Sequence, residues 1–404
     1  MASPEYPLLS KNFFADPYPL LRRLRDECPV YYHAPLGAWF LARHDHCTAA
    51  VRDRRLVNAR ARQLLSTLMP ALHGTDELAA MIGQWSRLLW FLDPPRHTRS
   101  RGLVMRGFSA AAIERVRDEV RASVEDALAS VPGGGGELDV VWQFADPIAL
   151  EVLCAIFGLP GELRADFRRW TTDIMQVAGA GATDEDPALR ATDSSVKLFG
   201  LLAALVEERR ARPGDDMISR FLGDDRDDPA VLEEVTIQCF QMVGAGYVTS
   251  RNQIACAVLA LLEHPDELAR LRATPGLLGP AIEELLRFAP SVLTTNRLAA
   301  EDLEIGGQQI RQGELVFPIL ASANRDPAAY PDPDRLDLAR GGRPMTFSIG
   351  PHYCPGGPLA RLELEEALQG LLRFPSWQLV GGFDYRGASL QDRGPSQLRV
   401  RLGV

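Results

Sequence analysis

Lysine is almost missing from this chain: two of its 44 basic residues, Lys11 and Lys197, are lysine, and all the others are arginine. With 53 acidic residues the net charge is −9, which disfavours nucleic acid as a partner of the whole chain. Cysteine is scarce too, and none of the six forms a Cys-x-x-Cys pair, which speaks against a disulfide framework or a clustered metal site. No stretch reads as long and apolar enough to span a membrane, and no apolar run precedes Tyr6. The expectation is therefore a reduced cytoplasmic protein without a membrane partner. Internal repeats and interdomain linkers are also lacking. With 404 residues and 46% hydrophobic content, the economical reading is one large domain over 1–404.

That domain reads as mainly α with a small β region. Val30 to His33 and Ala38 to Ala42 read as strands around a Pro35-Leu36-Gly37 turn; Leu303 to Ile305, Leu315 to Phe317 and Leu398 to Leu402 read likewise. Helical patterns dominate between them, the longest from about Leu232 to Leu262. Gly133 to Gly136 is expected to be a turn between helices, and Ala178 to Asp186 a mobile loop.

The most informative stretch is Phe347-Ser348-Ile349-Gly350-Pro351-His352-Tyr353-Cys354-Pro355-Gly356. It presents one cysteine on a glycine-bracketed loop that leads into an amphipathic helix, Leu359 to Leu372. A helix N-terminus favours a thiolate, and a thiolate is a metal ligand. The other cysteines, Cys28, Cys47, Cys154, Cys239 and Cys256, read as small buried hydrophobes.

The spacing Phe-x-x-Gly-x-His-x-Cys-x-Gly, followed by Leu359-Ala360-Arg361, resembles the haem-binding signature of the cytochrome P-450 (haem-thiolate monooxygenase) superfamily, soluble bacterial type. Further segments carry the same resemblance. Gly244 to Ser250 is similar to the distal-helix pattern Ala-Gly-x-(Asp/Glu)-Thr-(Thr/Ser), matching it at Ala245, Gly246, Thr249 and Ser250. Glu284 and Arg287 match Glu-x-x-Arg, and Arg340 matches the third member of that buried cluster. His97 and Arg101, one helical turn apart, match a propionate-binding His-x-x-x-Arg, joined by Arg297 and His352.

The resemblance covers nearly the whole chain. It implies the cytochrome P-450 fold: a triangular prism with one haem b (iron protoporphyrin IX) between a long distal helix and the helix after the cysteine loop. Cys354 would be the axial iron ligand and Thr249 the catalytic hydroxyl, with dioxygen cleaved by two electrons. The electrons would come from NAD(P)H through a separate ferredoxin and ferredoxin reductase, since no flavin or nicotinamide domain fits in the chain. By position, Trp85, Leu89, Trp90, Val243, Val248, Val292 and Leu293 would line the substrate pocket, with Thr171 to Leu201 as a lid. Such a lining suits a small apolar or aromatic molecule, as in bacterial specialised (secondary) metabolism.

Two departures stand out. Val248 occupies the position of the usual acid, so protons must reach the site through ordered water, a substrate group or a neighbour such as Tyr247. This also keeps oxidative cyclisation or coupling, a peroxide-driven oxidase and a haem-binding sensor in view. Pro355 directly follows Cys354 and has no N–H to give the sulfur. A thiolate with fewer hydrogen bonds donates more strongly to iron and lowers its potential. If the missing bond differs by about 1 kcal/mol between iron states, Pro355→Leu raises the reduction potential by on the order of 40 mV in a redox titration; an unchanged potential refutes the argument.

Overall fold

The computed structural model describes residues 6–68, 73–132, 135–180, 185–385 and 390–403. Its axis is the helix Pro229–Glu263, 35 residues long. It begins three residues ahead of the predicted start because Asp228 caps it, accepting from the Ala230 amide at 2.8 Å, with Pro229 at the first helical position. From Val235 onward most of its side chains are buried, so it is a core helix and not an amphipathic surface one. The helices Asp146–Phe157, Arg164–Ala180, Glu185–Ala211 and Gly357–Leu372 pack around it.

The β structure is small and divided. Strands β1 (Val30–His33), β2 (Ala38–Leu41), β3 (Leu56–Val57), β5 (Arg297–Ala299) and β8 (Leu315–Pro318) form one sheet in the order β1-β2-β8-β5-β3. The β1–β2 hairpin pairs Val30 with Leu41, and Gly37 turns the chain at φ +56°. β4 (Gly135–Asp139), β10 (Arg399–Gly403) and β9 (Ser376–Leu379) form a second sheet, while β6 (Leu303–Ile305) pairs with β7 (Gln308–Ile310). The strands expected at both ends are present; β3, β4, β5, β7 and β9 were not foreseen.

Three expectations need correction. Gly135 and Gly136 open strand β4 and pair with Gly403 and Leu402, so the glycine run is not simply a turn; Gly133 and Gly134 lie outside the described residues. Ala178 to Ala180 end one helix, and Glu185 and Asp186 begin the next; 181–184 lie outside the described residues. Finally, Val140–Phe157 is long and apolar enough to cross a membrane, contrary to the sequence reading. Most of it is buried inside the fold, where Asp146 at the start of its α-helical part makes an ion pair with Arg251 at 3.2 Å.

Of the six cysteines, Cys47, Cys154, Cys239 and Cys256 are buried as expected; Cys28 is only half-buried, and none forms a disulfide. The helix carrying the cysteine loop, Gly357–Leu372, approaches Arg117–Leu128 closely enough that a Cβ on Gly370 would lie 2.4 Å from Val124 Cγ1. Val124 is β-branched and stiff, so it cannot swing away. Gly370→Ala is expected to cost about 1–3 kcal/mol in chemical denaturation through overpacking; unchanged stability would show that this helix pair is free to separate.

Candidate active site

The cysteine loop is held from several sides. Ser348 stands at φ +58° and Gly350 at φ +74°, folding the chain back so that the Cys354 amide donates to the Phe347 carbonyl at 3.0 Å. The Arg361 guanidinium donates to the Tyr353 hydroxyl at 3.1 Å, to the Gly357 carbonyl at 3.2 Å and to Glu283 at 2.9 Å, and covers the Phe347 ring. A Cβ at Gly357 would stand 3.1 Å from the Tyr353 hydroxyl, so glycine lets the helix start pack tightly against that side chain. Burial pushes the Cys354 thiol pKa up; the Gly356 and Gly357 amides and the Arg101 and Arg361 charges oppose that shift. Pro355 therefore takes away one donor while two amides remain.

Behind the loop lies the charged cluster. Arg287 donates to both carboxylate oxygens of Glu284, at 2.7 and 2.8 Å, with both residues almost fully buried. Arg340 Nε and the Asp337 amide each reach Glu284 Oε1 at 3.0 Å. Arg287 continues to the Asn324 carbonyl at 2.7 Å; the Asn324 side chain then accepts from the Met345 amide at 2.7 Å and donates to Thr346 Oγ1 at 2.9 Å. Glu284, Arg287 and Arg340 are thus brought together as the sequence suggested, and the hydrogen bonds leading from them reach Met345 and Thr346, just ahead of Phe347.

Cys354 faces a cavity of about 340 Å³, opposite Gly244, Ala245, Gly246, Thr249 and Ser250 of the long helix. Thr249 Oγ1 donates to the Ala245 carbonyl at 2.6 Å, the back-bond common for a threonine inside a helix. Gly246 allows Leu153 of a neighbouring helix to approach, since a Cβ would lie 3.1 Å from Leu153 Cδ2.

Of the predicted pocket residues, Trp85, Leu89, Trp90 and Val292 line this cavity. Val243, Val248 and Leu293 do not: Val243 borders a smaller side pocket, while Val248 and Leu293 are packed in the surrounding core. Tyr247 is also removed from the cavity, its hydroxyl donating to Asp146 at 2.6 Å. Burial and the Asp146 charge push that hydroxyl's pKa up, and with the hydroxyl committed to Asp146 the residue does not line the cavity.

One edge of the cavity gathers basic side chains, with His97 and Arg297 just behind its wall. His97 and His352 stack with ring centres 3.9 Å apart, and Arg101 donates to the Tyr353 carbonyl at 2.8 Å. Arg297 is buried on β5, donating to the Asn296 carbonyl at 2.8 Å, behind the wall formed by Thr294 and Thr295. Arg60, not foreseen, lines the cavity and donates to the Trp90 carbonyl at 2.8 Å and to the Asn296 side chain. In the sequence it is one arginine among several between Arg52 and Arg62, with no pattern to single it out.

The nearby carboxylate of Asp93 is spent on the amides of Asn58 and Ala59, both at 2.9 Å. Burial first, then the surrounding cations, depress His352 to about 2, and burial lowers Arg297 to about 10. His97 Nε2 is buried without a partner. An edge with this surplus of buried cation fits a ligand that brings anionic groups, as a haem does with its two propionates.

A second unforeseen residue is Glu363, on the helix that follows Cys354. It lines the cavity beside Ser250, which hydrogen-bonds its carboxyl, and its Oε2 has no partner. Burial raises its pKa to about 8. In the sequence it sits among Glu365 and Glu366 on an amphipathic helix and reads as one more solvated acid.

A cytochrome P450 family model matches residues 276–382. The chain is 35% identical to 6-deoxyerythronolide B hydroxylase of Saccharopolyspora erythraea over 98% of both chains. This chain belongs to the cytochrome P450 family. The P450 is also 34% identical to vitamin D(3) 25-hydroxylase of Pseudonocardia autotrophica, over 99% of this chain and 97% of that one. The crystal structure of epothilone D-bound cytochrome P450epoK superimposes with a TM-score of 0.88 at 30% identity, covering 100% of both chains. It is accordingly a P450 monooxygenase of the soluble bacterial type, with the family's haem, its use of dioxygen and its need for reducing electrons.

Stranding Arg287 in the core by Glu284→Ala costs about 3–5 kcal/mol. The expected outcome is haem-poor or unfolded protein, read from the ratio of haem to protein absorbance after purification. Normal loading would show that the cluster does not set the loop.

Proposed function

We propose that this P450 oxidises a small, largely apolar molecule of bacterial specialised metabolism, working as one domain in the cytoplasm. The reading is supported most by the cavity over Cys354, whose exposed wall surface is mostly apolar, with Leu64, Leu65, Trp85, Leu89, Trp90 and Phe91 among the side chains that line it, although many polar residues also border it. It agrees with relatives named 6-deoxyerythronolide B hydroxylase and vitamin D(3) 25-hydroxylase.

In this reading Cys354 would hold the iron of haem b through its thiolate, and Arg101, His352 and Arg60 would meet its propionates, with His97 and Arg297 supporting that edge from behind the wall. Bound haem supplies the iron at which dioxygen is activated. NAD(P)H, through a ferredoxin reductase and a ferredoxin, supplies the electrons. The chain's own task is to exclude water, hold the substrate against Gly244, Ala245, Gly246 and Thr249, and deliver protons.

Proton delivery falls to Glu363. Its carboxyl, titrating near 8, keeps a proton at neutral pH, and the Ser250 hydroxyl passes that proton toward the cavity face shared with Thr249. This takes the place of the acid that position 248 lacks. A proton supply favours oxygen-driven turnover over a peroxide-driven oxidase, which needs none, and over a sensor.

Glu363→Gln removes the proton while keeping the shape. Hydrogen peroxide released per NADPH consumed is expected to rise several-fold in this variant. In the wild type the same ratio should climb as pH passes upward through about 8, where the folded carboxyl loses its proton. A wild-type ratio that is flat with pH and equal to the variant's would reject Glu363 as the donor.

A further inference from the structure

Near its C-terminal end the chain comes back along the segment that carries Val292. The Arg393 amide donates to the Ser291 carbonyl at 2.7 Å and the Leu293 amide to the Gln391 carbonyl at 2.8 Å, which pairs Val292 with Asp392 in antiparallel fashion. The two bonds flank the pair and do not join it, and in such a pair the side chains share one face at the closest cross-strand spacing. Val292 lines the cavity over Cys354, and Asp392 lines it beside Val292. Arg393 turns the other way, its guanidinium 3.6 Å from the centre of the Tyr385 ring in the wall of a separate cleft.

Among the described residues that line the cavity, the carboxylates are Glu363 and Asp392. Glu363 is almost fully buried beside Ser250, whereas Asp392 is half-buried and keeps accessible surface. Burial pushes the Asp392 carboxyl up to about 6, and the charge of Arg251 on the long helix offsets part of that rise. At neutral pH it is therefore mostly ionised, in a cavity whose exposed wall is mostly apolar. An ionised carboxylate only accepts hydrogen bonds, and its strongest partner is a cationic donor.

We propose that the substrate of this P450 carries a protonated amine on its apolar body, and that Asp392 receives it beside Val292. This rests on the reading of the cavity as an apolar substrate site. It makes Asp392 specificity-determining, because an ammonium group enters an apolar site at high cost unless an opposite charge meets it there.

Three probes with the same chain length test it by equilibrium dialysis against the haem-loaded protein: N,N-dimethyldodecylamine, dodecanol and dodecanoate. The amine stays protonated at and below neutral pH, and its two methyl groups hinder iron ligation. The wild type is expected to bind the amine about tenfold more tightly than the alcohol, with dodecanoate weakest, and Asp392→Asn to bring amine and alcohol level. Arg251 keeps its ion pair with Asp146 at 3.2 Å in that variant, so no buried charge is stranded. A second measurement needs no variant. The charged and titratable groups facing Asp392 are Arg251 and, across the cavity, Arg60, Arg101, His352 and Glu363. The arginines keep their charge, His352 titrates at about 2 and Glu363 at about 8, so Asp392 is the group among these that changes charge near 6. The wild-type preference for the amine should accordingly be lost as pH falls through about 6. Binding of the alcohol with no preference for the amine, a preference that survives in Asp392→Asn, or one that is flat with pH overturns the proposal and leaves the apolar cavity intact. Binding of none of the three probes defeats the apolar-site reading and this proposal with it.

Discussion

One buried ion pair sets the position of everything that follows. Glu284 and Arg287 are adjacent on the same helical face, and neither reaches water. A buried pair of this kind adds little stability over apolar packing, and its value lies in what its remaining hydrogen bonds specify. Here they run to the backbone of the 333–337 segment and to Asn324, whose side chain holds Met345 and Thr346. Thr346 in turn donates to the Leu286 carbonyl at 2.6 Å, closing the circuit on the helix where it began. The loop bearing Cys354 is thereby fixed at its root, and Arg361 fixes it at its far end.

Around that fixed point the molecule separates charge by edge. Cations collect where the propionates would lie, and Glu363 stays neutral beside Ser250, because burial disfavours the ionised form of either kind of group unless an opposite charge meets it. A ligand can bring that charge to the arginines. Glu363 has no cation near it and resolves the cost by keeping its proton. The same physical rule thus produces an anion-accepting edge and a proton-holding acid within one cavity.

Much of this was legible in the order of residues. Cys354, His352 and the Glu284–Arg287 pair lie in short motifs with fixed spacing, and helix periodicity located the long helix to within three residues at each end. Arg60 and Glu363 escaped because their roles depend on burial, which spacing alone does not reveal. Val248 and Tyr247 were misplaced for a related reason: on a helix buried nearly all round, no apolar stripe marks which face meets the cavity. The missed strands are mostly two to four residues long, too short for an alternating pattern to emerge. β4 begins with two glycines, which look like a turn until Arg399–Gly403 pairs with them.

The apolar segment Val140–Phe157 has a further consequence, in time and not in space. Its main partner, the helix Pro229–Glu263, begins roughly 70 residues later in the chain. At synthesis rates of about 5–20 residues per second, the segment waits on the order of ten seconds before the surface that buries it exists. During that interval a stretch with the length and apolar composition of a membrane span is shielded only by what has already emerged, including Arg117–Leu128. The order in which the core is made is thus as much a constraint on this sequence as the core itself.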